Sequence, residues 1–180
     1  MTTKTGFLSG KKLLITGVLS NRSIAYGIAK ACHAQGAELA FSYVGDRFKD
    51  RITEFAADFD SKLIFDCDVG SDEQIEKLFT DLSATWPKFD GFVHAIGYAP
   101  REAIAGDFLD GLSREGFKIA HDISAYSFPA MAKAALPYPN DKSVNSFSIC
   151  SSLPTSQSKI SLESKSAANS VMRSLKRSPT

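Results

Sequence analysis

The stretch "LLITGVLSNRSIAYGIAKA", from Leu13 to Ala31, decides the fold of this chain. It begins with a continuous apolar run, as buried parallel strands do, and it ends in a helix with one apolar face. Gly17 and a polar loop lie between the two, and Ser23 stands where the helix begins. Such a sharp turn suits phosphate binding, because the N-terminus of the helix offers free N–H groups and the positive end of its dipole.

Apolar strands and amphipathic helices alternate four times along the chain. The apolar spacing of the first three helices predicts buried faces at positions 24, 28 and 32, at positions 52, 55, 56 and 59, and at positions 75, 78, 79 and 82. The pattern predicts strands at residues 12–17, 38–43, 62–69 and 90–97, with a fifth at 146–150. The last of the intervening helices is predicted from about Arg114 to Ala135, with Phe117 and Met131 in its buried stripe and a kink at Pro129. The alternation predicts an α/β fold, a doubly wound, Rossmann-like parallel sheet that is incomplete at its C-terminal side.

The composition of the chain changes after Phe147. The remaining residues contain no aromatic side chain, are rich in serine and include Glu163 as their one acidic residue. Segments of this kind rarely bury enough apolar surface to fold. We therefore predict a Rossmann-like dinucleotide-binding domain over residues 1–150 and a divergent, poorly ordered serine-rich tail over residues 151–180.

Composition excludes several classes of function. The 180 residues are 43% hydrophobic and 23% charged, with a formal net charge of +1, which predicts one soluble domain and neither a nucleic-acid nor a membrane partner. No apolar run approaches the roughly 18 residues that span a bilayer, and the N-terminus is not a secretory signal. Three widely spaced cysteines indicate a reducing cytoplasm and no metal site.

The turn after the first strand is a glycine-poor version of the dinucleotide-binding turn. Its spacing, Gly17-x5-Ser23-Ile24-x2-Gly27, is longer than G-x-G-x-x-G. Gly17 would let the backbone leave the strand steeply and let a pyrophosphate approach, while Ser23 would cap the helix. Taken alone this is a weak signal, and a purely structural turn stays open.

Two further strand ends support dinucleotide binding. Asp68 follows the third strand, where a carboxylate could accept from an adenine amino group, and Gly97 follows the fourth, where a ribose or nicotinamide would need close approach. An acidic residue that grips the ribose 2′-hydroxyl is absent from the end of the second strand, which reads Tyr43-Val44-Gly45 before Asp46 and Arg47. These residues leave the choice between NADH and NADPH open.

Six segments together closely resemble one family. They are "GFLSGKKLLITGV", "SIAYGIAKA", "GAELAFSY", "CDV", "WPKFDGFVHAIGYAP" and "REGFKIAHDISAYSF". They are similar to the bacterial NADH-dependent enoyl-(acyl-carrier-protein) reductases, which are divergent members of the short-chain dehydrogenase/reductase superfamily. The resemblance covers roughly residues 6 to 135, and the long turn ending in S-I-A-x-G is itself a feature of that group.

The resemblance implies an oxidoreductase of fatty-acid biosynthesis that reduces a trans-2-enoyl thioester on acyl carrier protein. It implies NADH as cofactor, with NADPH disfavoured, and a homo-oligomer in the family, although assembly of this chain stays open. By the same resemblance the contact residues are Gly17, Ser23 and Ile24 for the pyrophosphate, Asp68 and Val69 for the adenine, Ile96 and Gly97 for the ribose and nicotinamide, and Ala99 for the substrate.

The chain departs from the family where the chemistry is expected. The resemblance implies a tyrosine and a lysine, spaced Tyr-x6-Lys, after the fifth strand, but Tyr138 is the last tyrosine of this sequence. We therefore assign no catalytic residue and expect a truncated or inactive reductase. Two alternatives remain: a non-catalytic nucleotide-binding or interaction module, and a short-chain reductase that uses a hydroxyl such as that of Ser151 in place of the phenol.

Overall fold

Five parallel strands form the sheet in the part of the protein that the structure describes. The structure is a computed structural model that describes residues 6–107, 109–138 and 145–148. The strands are β1 (Lys12–Ile15), β2 (Glu38–Tyr43), β3 (Ile64–Asp66), β4 (Gly91–His94) and β5 (Asn145–Ser148). Their order is β3-β2-β1-β4-β5, and every neighbouring pair is parallel. This order confirms the predicted doubly wound α/β fold.

Helices cover both faces of the sheet. They are α1 (Ile24–Ala34), α2 (Asp46–Ala57), α3 (Asp72–Thr85), α4 (Arg101–Ile104), α5 (Arg114–His121) and α6 (Ser127–Ala135). Residues Asp122–Tyr126 form a π-helical segment between α5 and α6, called here the π turn. Helices α1 and α2 pack on one face of the sheet, whereas α3 and α6 pack on the other. No helix among the described residues is long and apolar enough to cross a membrane.

Among the described residues, one apolar core lies on each side of the sheet, because strand side chains alternate between its faces. Leu13 and Ile15 point toward α1 and α2, whereas Leu14 between them points toward α3 and α6. The helix stripes predicted from apolar spacing supply the other half of each core, with Ile52 of α2 and Leu82 of α3 fully buried. The apolar spacing in α1, α2 and α3 therefore predicted their buried faces correctly.

The strand bounds differ from the predicted ones at the carboxyl edge. β3 ends at Asp66 and β4 at His94, several residues before the predicted ends at positions 69 and 97. The residues after each strand are loops, so Asp68 and Gly97 lie beyond the sheet rather than in it. The fifth strand begins at Asn145, one residue before the predicted start, and the last two residues of the predicted strand and the predicted tail at residues 151–180 lie outside the described part of the chain.

The long helix predicted from Arg114 to Ala135 is interrupted by the π turn. Pro129 has no N–H to donate to the carbonyl four residues earlier, and the Ser127 N–H reaches back five residues to the Asp122 carbonyl. The predicted burial of Phe117 is wrong, because its side chain is 57% exposed, whereas Met131 is fully buried. α6 packs against α3, but α5 packs on α4 and the π turn, which leave Phe117 uncovered.

Candidate functional site

The carboxyl end of β1 is fastened to β4 by a buried hydroxyl. The Thr16 side chain donates to the Val93 carbonyl at 2.9 Å and accepts from the Ala95 amide at 3.4 Å. The Thr16 backbone amide also donates to Val93, at 3.0 Å. Because Thr16 is fully buried, these bonds extend the β1–β4 pairing past the last residue of the strand.

Gly17 makes the steep exit from β1 that the sequence predicted, for a partly different reason. Its φ of +82° is strained for any residue with a side chain. A Cβ at this position would lie 2.0 Å from the carbonyl oxygen of Ala95. The glycine is therefore required by the approach of the protein's own β4 segment, in addition to any ligand above it.

Ser23 caps α1 as predicted. Its Oγ accepts from the Tyr26 amide at 3.2 Å and donates to the Ser20 carbonyl at 2.8 Å. Ile24 is the first helical residue and packs partly against the core beneath. The N-terminal turn of α1 thus begins directly after the β1 exit, with its positive dipole end at the carboxyl edge of the sheet.

The loop after β3 carries Asp68 and Val69. The Asp68 carboxylate is exposed and accepts from the Gly70 amide at 2.9 Å, which forms a tight polar turn. The Asp68 amide donates to the Gln74 side chain at 2.8 Å, and that bond ties the loop to α3. Val69 is buried beneath the loop. An exposed carboxylate thus stands above a buried apolar residue.

The loop after β4 is held from a distant part of the chain. Ile96 packs on the core and Ala99 is half-buried, whereas Gly97 and Tyr98 between them are exposed. The Tyr98 amide donates to the Ser124 hydroxyl at 2.9 Å, and the same hydroxyl donates to the Tyr98 carbonyl at 3.1 Å. Ser124 belongs to the π turn, so that element fixes the loop.

A carboxylate at the end of β3 accepts a hydrogen bond from the loop that follows β2. The Asp66 carboxylate accepts from the Gly45 amide at 2.9 Å, and Asp66 pairs with Tyr43 in the sheet register. Arg47, two residues past Gly45, lies with its guanidinium 4.4 Å from the centre of the Phe48 ring. An acidic group therefore stands beside the second strand, although none follows that strand in sequence.

A buried imidazole links β4 to Ser127, the first residue of α6 directly after the π turn. His94 Nε2 lies 2.7 Å from the hydroxyl of Ser127, which donates its own proton to the Ile123 carbonyl at 2.6 Å. Nε2 is therefore the donor, and Nδ1 carries a lone pair without a hydrogen-bond partner among the described residues. Because burial lowers the pKa of His94, the ring is neutral at neutral pH.

The predicted cofactor residues all lie at one edge of the sheet. Gly17 follows β1 and Ile96 and Gly97 follow its neighbour β4, whereas Asp68 and Val69 follow β3, with β2 in between. Since all strands are parallel, their carboxyl ends meet at this edge, where α1 also begins with Ser23 and Ile24. Among the residues that the structure describes, no group of three His, Cys, Asp or Glu side chains could hold a metal ion.

Four residues of this edge were not singled out from the sequence: Thr16, Asp66, His94 and Ser124. Asp66 had a usable signal, since it lies two residues before Asp68 in the predicted third strand, and side chains two apart in a strand share a face. Thr16 directly precedes the predicted glycine turn, where a hydroxyl could extend the strand pairing. The contacts of His94 and Ser124 join distant positions and leave no local pattern.

The sequence matches a known family and several characterised relatives. The family model described as enoyl-(acyl carrier protein) reductase matches residues 17–178. The chain is 62% identical over 132 residues to the enoyl-(acyl-carrier-protein) reductase (NADH) FabI of Neisseria meningitidis serogroup B. This match covers 73% of this chain and 51% of the relative. It is 59% identical over 129 residues to the protein of that name from Escherichia coli K12, and this match covers 72% of this chain and 49% of the relative.

Solved structures with the same description share the fold. The enoyl-(acyl-carrier-protein) reductase (NADH) of Aquifex aeolicus matches 94% of this chain and 74% of its own length, with a TM-score of 0.76 and 41% identity. The reductase of Anaplasma phagocytophilum in complex with NAD matches 97% and 68%, with a TM-score of 0.74 and 31% identity. The chain spans about half the length of the two curated relatives, 51% and 49%.

Proposed function

Because the chain belongs to the enoyl-(acyl carrier protein) reductase family, we propose that it binds NADH along the carboxyl edge of its sheet. The observation that carries this proposal is the β1 exit: a left-handed Gly17 followed by a side-chain-capped helix that begins at the edge. The proposed setting is cytoplasmic fatty-acid biosynthesis, with an enoyl thioester on acyl carrier protein as substrate. NADH, when bound, supplies the hydride for the enoyl double bond.

The pyrophosphate belongs at the β1–α1 turn. Amide groups at the first turn of α1 and the positive end of its dipole favour two phosphate charges. The Ser23 hydroxyl already accepts from the Tyr26 amide and donates to the Ser20 carbonyl, so its role in the site is to fix the conformation of the turn. Ile24, the first residue of the helix, brings its own amide to the same place.

The two other parts of the dinucleotide belong to the loops on either side. Asp68 offers an exposed carboxylate to the adenine amino group, and Val69 beneath it offers an apolar contact. On the β4 side, Ile96 and the exposed Gly97 leave room for the ribose and nicotinamide, and Ala99 would line the edge of the substrate pocket. The residues present therefore fit a dinucleotide.

Asp66 favours NADH over NADPH in this proposal. Its carboxylate is bonded to the Gly45 amide, beside the end of β2 where the ribose 2′-hydroxyl of a dinucleotide lies. A negative charge there can accept from that hydroxyl and repels a 2′-phosphate. Arg47 is the competing group, but it lies against the Phe48 ring in this structure.

We propose that this chain binds NADH but does not turn it over at the rate of a typical enzyme. Stabilising the enolate of the thioester requires a preorganised donor, and removal of one such donor commonly costs about 10²–10³ in rate. The family uses a phenol for this purpose, and no tyrosine follows Tyr138 here. We therefore expect NADH binding with consumption of NADH far below the roughly 10 per second of a typical enzyme.

Calorimetric titration of NADH into the whole chain tests the binding site. The wild-type chain should bind one NADH saturably. Ser23→Asp keeps a good N-cap but adds a negative charge at the pyrophosphate, so affinity should fall at least about tenfold with stability unchanged. The matched control is Ser113→Asp at the cap of α5, which should bind NADH like the wild type. Absence of binding, or equal affinity in all three proteins, would overturn the proposal.

A second assay separates binding from catalysis. NADH absorbance is followed with crotonyl thioester and the purified chain, beside a buffer blank. Binding with negligible turnover is the expected result, and it fits a non-catalytic nucleotide-binding module of the family. Turnover near the typical enzyme rate would contradict it and would favour the alternative in which a tail hydroxyl, such as that of Ser151, replaces the phenol.

A further inference from the structure

We infer that Ser124 is a positioning residue for the nicotinamide end of the site. Its hydroxyl both accepts from the amide and donates to the carbonyl of Tyr98, at 2.9 and 3.1 Å. Tyr98 stands between Gly97, which the proposed function places beside the cofactor, and Ala99, at the edge of the substrate pocket. The inference rests on that proposed function.

The two bonds fix position more than they stabilise the fold. Tyr98 is 53% exposed and Ser124 is not buried, so water would satisfy the same backbone groups if the hydroxyl were absent. What water cannot supply is a fixed distance to another element. Gly97 gives the loop a permissive backbone residue directly before Tyr98. The Ser124 tether therefore removes freedom that the loop sequence allows.

Ser124 can act as an anchor because the π turn is itself fastened to the sheet. Three residues further on, Ser127 is fully buried and bonded to His94 at the end of β4, 2.7 Å away. Ile123 packs against the core on the other side of Ser124. The loop after β4 and the last residue of β4 are thus held by the same helical segment.

The π turn accounts for the spacing of these two hydroxyls. A π-helical segment carries more than four residues per turn, so it shifts the faces of the helix relative to an α-helix. Ser124 then meets the loop while Ser127 meets β4. π segments of this kind recur at functional sites, which agrees with a role at the cofactor edge.

Three variants of the whole chain test the inference: Ser124→Ala removes the tether, Ser124→Thr keeps a hydroxyl, and Ser83→Ala deletes a local helix hydroxyl of α3 as the control. Amide exchange of Tyr98, read by NMR, should be roughly three- to tenfold faster in Ser124→Ala. Exchange of the Thr16 amide should not change, which shows an intact sheet. Ser124→Thr should restore slow exchange at Tyr98.

NADH affinity is the second readout. Ser124→Ala should bind NADH roughly three- to tenfold more weakly, whereas Ser124→Thr and Ser83→Ala should match the wild type. Unchanged Tyr98 exchange in Ser124→Ala would overturn the inference, and so would faster exchange without loss of affinity. A wild-type chain that does not bind NADH would instead overturn the proposed function, so the two failures are distinguishable.

Discussion

The pyrophosphate end of the proposed cofactor site is held by the backbone, whereas the nicotinamide end is held by one side chain. At the first end, Gly17 is locked by its positive φ and by the Ala95 carbonyl, and buried Thr16 ties the strand beside it. At the second end, exposed Tyr98 depends on a hydroxyl 26 positions away. The pyrophosphate end is therefore part of the folded core, whereas substitutions at the nicotinamide end should change the free energy of unfolding little.

Gly17→Ala should have the largest effect, because it attacks the end held by the backbone. A left-handed conformation costs about 1–2 kcal/mol for a residue with a Cβ, and forcing a methyl group against Ala95 adds about 1–3 kcal/mol. The free energy of unfolding in urea should fall by about 3 kcal/mol or more.

Gly10→Ala is the matched control for that measurement. Gly10 has a similar φ of +77°, but apart from its two chain neighbours no residue has a heavy atom within 4 Å of the position of its missing Cβ. It should lose only the conformational cost of about 1–2 kcal/mol. Equal losses in the two variants would show that the β1–β4 approach is not tight, and the contrast between the two ends would fail.

His94→Gln tests the contact between the end of β4 and Ser127 at the start of α6. Glutamine can still donate to Ser127, but it loses the ring contact with Phe128, so the unfolding free energy should fall by about 1 kcal/mol. Because burial lowers the folded-state pKa of His94, the unfolded chain binds the proton more readily, and stability is lost as pH falls below about 6.5.

The pH profile of unfolding distinguishes this role from packing alone. The wild-type chain should lose stability faster than His94→Gln between about pH 6.5 and 5, and the two curves should run parallel above about pH 7.5. Urea denaturation of both proteins at each pH measures the difference. Parallel curves across the whole range would mean that His94 does not remain neutral in the folded state.

Asp66→Asn should have the smallest effect and concerns the adenosine end. Asparagine keeps an oxygen for the Gly45 amide but removes the charge that opposes a 2′-phosphate. NADPH affinity should rise a few-fold relative to NADH affinity, as expected for one exposed charge, and the change should shrink at high salt. Asp107→Asn, at an exposed carboxylate of the α4–α5 connection, is the control and should leave the ratio unchanged.

The pyrophosphate end could be predicted from the sequence because its residues are neighbours in the chain, whereas the contact that holds the nicotinamide end could not. Ser23 as a helix cap and Gly17 as a steep exit depend on neighbouring residues, so their pattern is local and was predicted. The Ser124 tether joins residues far apart through a π turn, which the apolar spacing of an α-helix cannot indicate. Phe117 failed for a related reason: spacing identifies an apolar face but not the element that covers it.

The proposed binding of NADH at the carboxyl edge of this sheet can be followed residue by residue in an NMR titration of the labelled chain. The amides of Gly17, Ile24, Val69 and Gly97 should shift together along one saturation curve. Gly10 and Gly91, at the amino end of the strands, should not shift. Saturable shifts confined to the amino end, or none at the carboxyl edge at millimolar NADH, would show that this edge is not the NADH site.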